Sequence, residues 1–103
     1  MNKRLAYLEQ LVGSGRADSF ARYALGMEYR KEERPQDAMD AFQPLRDADP
    51  DYLAAYLMVG QVASELEDFD TAREWLEAGK VLAAKQGDSK ALGEIEDLLA
   101  TLD

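Results

Sequence analysis

One feature constrains this chain more than any other: an offset of 34 residues lays one helical pattern over another. Adding 34 carries Leu25 to Val59, Gly26 to Gly60, Ala38 to Ala72 and Phe42 to Leu76. Self-similarity at this period marks a chain built from stacked supersecondary units, none of which can bury its apolar face alone. The residues so joined alternate in size. Glycine and alanine let two antiparallel helices approach closely, while Phe42 and Leu76 fill the space around them.

Apolar residues follow the helical period along the whole chain. Leu5, Leu8, Leu11 and Val12 form a stripe that stops at Gly13-Ser14-Gly15. A second helix is expected from a cap at Asp18 or Ser19 to about Glu33, and Pro35 suits the first turn of a third. Pro44 is expected to kink that third helix or end it early, before Asp49-Pro50 stops it. Asp51 is expected to cap a fourth helix bearing Leu53, Tyr56, Leu57, Gly60 and Ala63. A fifth carries Ala72, Trp75, Leu76, Gly79 and Ala83 and stops at Gly87; a sixth shows Leu92, Ile95, Leu98, Leu99 and Leu102. No segment alternates with the two-residue period of a half-buried strand, so the expected fold class is all-α.

The offset and the residues it joins resemble the tetratricopeptide repeat, whose pattern runs W-x2-L-G-x2-Y, then A-x3-F, then P. The first unit supplies Leu25-Gly26-x2-Tyr29, Ala38-x3-Phe42 and Pro50; the second supplies Tyr56-x2-Val59-Gly60-x2-Ala63 and Ala72-x3-Leu76. The resemblance implies a right-handed solenoid of helical hairpins in a single domain over 1–103. Its parts would be an N-terminal helix and turn over 1–15, repeats over 19–52 and 53–86, and a C-terminal capping helix over 88–102. Arg22 stands where the pattern has a large apolar residue, Ala63 where it has Tyr, and Ala84 where it has the terminal Pro. The last departure predicts a fifth helix longer than the third. The same offset takes Gly60 to Glu94, which breaks the motif and makes the last helix a cap. Counted backwards it takes Phe42 to Leu8, so the first helix stands in for the second helix of a preceding unit.

In this family the first helix of each pair lines a concave surface that takes a peptide or a partner helix. On the second helix, the face turned away from Leu25, Gly26 and Tyr29 carries Phe20, Tyr23, Met27 and Arg30; the fourth helix carries Leu57, Met58, Gln61 and Ser64. Tyr and Met bury area adaptably, and Arg30 can grip a carboxylate in a fork. The expected site is therefore an apolar groove for another protein or peptide. The competing reading makes the strip core, covered by the first or last helix. A well-known version of the family clamps the C-terminal carboxylate of heat-shock chaperones with Lys, Asn and Arg. The matching positions here are Tyr23, Met27, Met58, Asp88 and Leu92, which disfavours that role. The alternative to an adaptor is self-assembly: the same strip or an exposed repeat end pairs two copies into a homodimer, or the basic first third meets the acidic remainder.

Composition narrows the chemistry. Among 103 residues there are 12 Lys+Arg and 21 Asp+Glu, for a net charge of -9, and neither Cys nor His. The charge is +2 through residue 34 and -11 beyond it. Without Cys there is no disulfide framework, zinc-thiolate site or thiol nucleophile; without His there is no imidazole base. Asp47, Asp49 and Asp51 alternate like a calcium loop, but the required Gly falls on Tyr52 and the closing Glu on Met58. Glu65, Glu67, Asp68 and Asp70 read as a solvated turn, Ser14 has no base to activate it, and Gly13-x-Gly15 lacks the strand and third glycine of a dinucleotide loop. No catalytic residue, cofactor or metal site is expected.

An acidic surface repels phosphate backbones and anionic membranes, so neither nucleic acid nor membrane is an expected partner. No window approaches the eighteen apolar residues of a membrane span, and Glu9 and Gln10 interrupt the first apolar run before it reaches the length of a secretory signal. The expectation is a cytoplasmic, non-enzymatic scaffold. Its plentiful Asp and scarce Lys would also suit a high-salt cytoplasm.

Overall fold

The computed structural model describes residues 1–102, which hold six α-helices and, among the described residues, no strand. They are α1 (Lys3–Gly13), α2 (Ser19–Lys31), α3 (Pro35–Ala48), α4 (Leu53–Glu65), α5 (Phe69–Gln86) and α6 (Ser89–Thr101). The chain divides into two compact units, Met1–Pro50 with α1 to α3 and a second from Asp51 onward with α4 to α6.

In the first unit the helix starts follow from their caps. The Asn2 carboxamide oxygen accepts from the Leu5 amide at 3.0 Å, and the Asp18 carboxylate accepts from the Ala21 amide at 2.8 Å. Each thereby satisfies an amide that has no partner within its own helix. Pro35 occupies the first turn of α3, where no N–H is needed. Pro44 does not end α3, which runs on to Ala48. Both Pro44 and Asp40, whose carbonyl loses its partner, are exposed, so the missing rung lies where water replaces it. Leu5 and Leu8 of α1 pack on Ala24 and Leu25 of α2, flanked by Val12, Ala21, Tyr29 and Ala41. Gly26 meets the buried Phe42 ring of α3 with no room for a side chain.

In the second unit Gly60 meets Leu76 in the same way, and Gly79 lies against Tyr56 and Ile95. Leu76, Ala83, Ile95 and Leu99 form a cluster that joins α5 to α6, with Leu53, Leu57 and Leu92 packed around it. The Tyr56 and Trp75 rings lie 5.4 Å apart at 49°. Asp68 and Asp88 cap α5 and α6 through the Thr71 and Ala91 amides. Asp51 does not cap α4: Tyr52 holds the cap position without a side-chain bond, which leaves Asp51 one residue too early to reach the first-turn amides. The Asp51 carbonyl instead accepts from Gln86 Nε2 at 2.9 Å. With no proline at Ala84, α5 extends to 18 residues against 14 for α3.

Three of the turns are built alike. Glu33 (φ 59°), Glu67 (φ 60°) and Gly87 (φ 71°) adopt the left-handed conformation. The next amide in each case, of Arg34, Asp68 or Asp88, reaches back 2.9 Å to the carbonyl of Tyr29, Ala63 or Ala83.

Candidate functional site

The strip on α2 is partly open to solvent. Phe20 is 66% exposed, while Tyr23, Met27 and Arg30 are half-buried. Tyr23 is held in place because its ring lies 5.6 Å from Phe42, tilted by 42°. The aromatic that Gly26 makes room for thus also backs the strip, giving Tyr23 an apolar face toward the core and a polar end toward its surroundings. On α4, Leu57, Met58 and Gln61 are half-buried. Leu57 packs against the cluster of Leu76, Ala83, Ile95 and Leu99, so at this residue the core reading holds in part. Ser64 turns back on its own helix, donating to the Gly60 carbonyl at 2.8 Å. Of the carboxylate-clamp positions, Asp88 is the α6 cap and Leu92 packs on the α5–α6 cluster.

The cations of the first unit are partly engaged within it. Arg4 pairs with Glu28 at 3.1 Å, and Arg34 pairs with Asp37 at 2.8 Å while lying 4.7 Å over the Tyr29 ring. Asn2 Nδ2 donates to Glu28 at 3.0 Å and to Glu32 at 2.7 Å. The Asn2 bond, then the charges of Lys31 and Arg4, hold the Glu28 carboxyl below its ordinary range. The Tyr29 hydroxyl donates to Glu9, and burial followed by that carboxylate pushes its pKa up to about 12.

Among the described residues no group of three or more Asp and Glu is gathered to hold a metal ion, and no helix is long and apolar enough to cross a membrane. Asp49 accepts from Ser19 Oγ at 2.7 Å, an intra-unit bond that ties the end of α3 to the start of α2.

A cavity on the other side of α2, bordered by Arg22, Leu25 and Ala41, lay outside the expected site. Its signal was present in the sequence: Arg22 departs from the repeat pattern, and the offset sets Ala41 against Trp75.

A family model described as the tetratricopeptide repeat matches residues 29–94. The crystal structure of a tetratricopeptide repeat domain protein from Salinibacter ruber is 31% identical, with a TM-score of 0.78, covering 84% of this chain and 96% of its own. A solution structure of a tetratricopeptide repeat domain protein from the same organism is 32% identical, with a TM-score of 0.77, covering 82% and 86%. The solution structure of a Bordetella parapertussis protein is 26% identical, with a TM-score of 0.83, covering 99% of this chain and 89% of its own. No curated protein matches the chain.

Proposed function

Because this chain belongs to the tetratricopeptide repeat family, which supplies protein–protein interaction modules, we propose that it is an adaptor that binds a peptide or partner helix. The observation that carries this reading is the α2 strip, where the exposed Phe20 stands beside half-buried Tyr23, Met27 and Arg30. A large aromatic left in water next to an anchored tyrosine and a methionine is the composition of an interface centre. Arg30 orients the ligand by its carboxylate, and Leu57, Met58 and Gln61 of α4 make the corresponding strip of the second unit. The repeats over 19–52 and 53–86 are the binding elements in this reading. The terminal helices α1 and α6 cover their ends.

The module is a scaffold and not an enzyme, since the chain has no His or Cys to serve as base or nucleophile. In this reading it works in the cytoplasm, since nothing in its cysteine-free composition calls for an oxidising compartment.

The test is affinity capture with the wild type and with Phe20→Glu/Met27→Gln, after circular dichroism has shown both to be equally helical. Partners held by the wild type and lost by the variant support the reading. Partners held equally by both would overturn the assignment to this strip. If the strip instead pairs two copies, light scattering will show a wild-type dimer that the same variant dissociates.

A further inference from the structure

The side of α2 opposite the strip is not filled. Val12 of α1, Arg22, Leu25 and Tyr29 of α2, and Asp40 and Ala41 of α3 border a half-open cavity of about 210 Å³. The 34-residue offset accounts for it. It carries Arg22 to Tyr56 and Ala41 to Trp75, and in the second unit these two rings pack against each other, tilted, and are both buried. Two aromatic rings there correspond to a guanidinium and a methyl group here. Tyr29 is larger than its counterpart Ala63 and recovers one edge of the space, but Glu9 holds its hydroxyl toward α1.

We propose that this cavity binds one indole ring, the side chain of a tryptophan presented by a partner protein. It would sit where the second unit places Trp75. The size fits a single side chain, since pockets for whole small molecules run to roughly 300–1,000 Å³. The floor of Val12, Leu25 and Ala41 is apolar and receives the ring face. Of the three charged groups at its border, Asp37 is paired with Arg34, and the other two complement an indole in particular. Arg22, half-buried, presents a guanidinium that favours the most electron-rich ring face. Asp40 is exposed and accepts from the neutral Gln36 amide at 3.1 Å, which leaves its carboxylate charged and able to take the indole N–H. The cavity and the strip lie on opposite sides of α2, so either can fail without the other.

The experiment is a titration of methyl-labelled protein with N-acetyl-tryptophanamide, followed by NMR. Saturable shifts are expected at the Val12, Leu25 and Ala41 methyls, with N-acetyl-leucinamide binding at least about tenfold more weakly. Arg22→Tyr/Ala41→Trp fills the cavity from within and should abolish those shifts. Should that variant lose its helical circular dichroism, Asp40→Ala at an exposed position is expected to weaken binding by about fivefold. Absence of saturable shifts at the three methyls overturns the proposal. So does equal binding of the leucine probe, or binding that neither variant changes.

Discussion

A Cβ placed on Gly26 would stand 2.2 Å from Cε1 of Phe42, a ring with no exposed surface. The clash is with a rigid ring that has nowhere to move, not with the free end of a flexible chain. Gly26→Ala gains about 1 kcal/mol of helix propensity and loses more to overpacking, which costs roughly 1–3 kcal/mol and sits at its upper end for so short a contact. The expected net loss is about 1–2 kcal/mol in urea unfolding. Gly93→Ala is the control, since nothing lies within 4 Å of its added carbon; it should stabilise by up to about 1 kcal/mol. Equal stability of the two variants would refute close packing at Gly26.

Asn2 caps α1 and also donates to Glu28 and Glu32. Asn2→Ala should cost about 1 kcal/mol through loss of the cap. Asn2→Asp keeps the cap acceptor but sets a third carboxylate against the other two, so it is expected to be less stable than wild type near neutral pH and to recover as pH falls through the carboxylate range. Glu28 works with the opposite sign. Its lowered pKa gives stability that is present above the ordinary carboxylate value and fades as pH falls through the folded value, a loss that Asn2→Ala should reduce. Unfolding curves at about pH 7 and about pH 3 separate these effects.

Tyr29 predicts behaviour at the alkaline end. Its pKa is raised from 10.0 to about 12, so the folded state holds this proton more tightly than the unfolded state. Its contribution is complete below about pH 10 and is lost as pH rises to about 12. Tyr29→Phe should be less steeply destabilised across that interval. Parallel alkaline unfolding of the two proteins reads this directly, and identical slopes would remove Tyr29 as the cause.

With a net charge of -9, self-repulsion is expected to outweigh the attraction within ion pairs, and screening should relieve it. The melting temperature is expected to rise with KCl, most steeply up to about 0.1 M, where the screening length is already about 10 Å. A flat or falling curve would mean that ion pairs such as Arg34–Asp37 contribute more than the repulsion removes.

Glu33 and Glu67 hold a backbone conformation that costs an L-residue roughly 1–2 kcal/mol. Both are exposed, so little packing is lost with the side chain. Glu33→Gly and Glu67→Gly should each stabilise by about 0.5–1 kcal/mol, part of the gain being returned as unfolded-state entropy. Calorimetry checks the sign, with Gly87→Ala as the reverse experiment.

Much of the fold was legible because its signals are local. Helical period, the Asp18 cap, Pro35 at a first turn and Gly87 at a stop each act within a few residues, and the repeat pattern put Gly26 where the two helices of a pair approach, with Phe42 filling the space around it. The early stop expected at Pro44 and the cap expected at Asp51 failed for a related reason. Whether a lost rung matters depends on which way it faces, and whether a carboxylate caps depends on a one-residue entry register; neither follows from the period. The strip was legible as a face of α2, but not its support. Nothing local says that Tyr23 leans on Phe42 or that Leu57 packs with Ile95 and Leu99.

The tight turns also bear on how fast this chain organises. Residues 32–34 and 66–68 are all that separate α2 from α3 and α4 from α5, so closing each hairpin adds little loop entropy to the cost of forming its helices. Contacts such as Gly26–Phe42 and Gly60–Leu76 join residues near in sequence, and low contact order of this kind belongs with folding times on the order of microseconds to milliseconds. Each hairpin can therefore close early, with α1 or α6 then covering the apolar face that it leaves open.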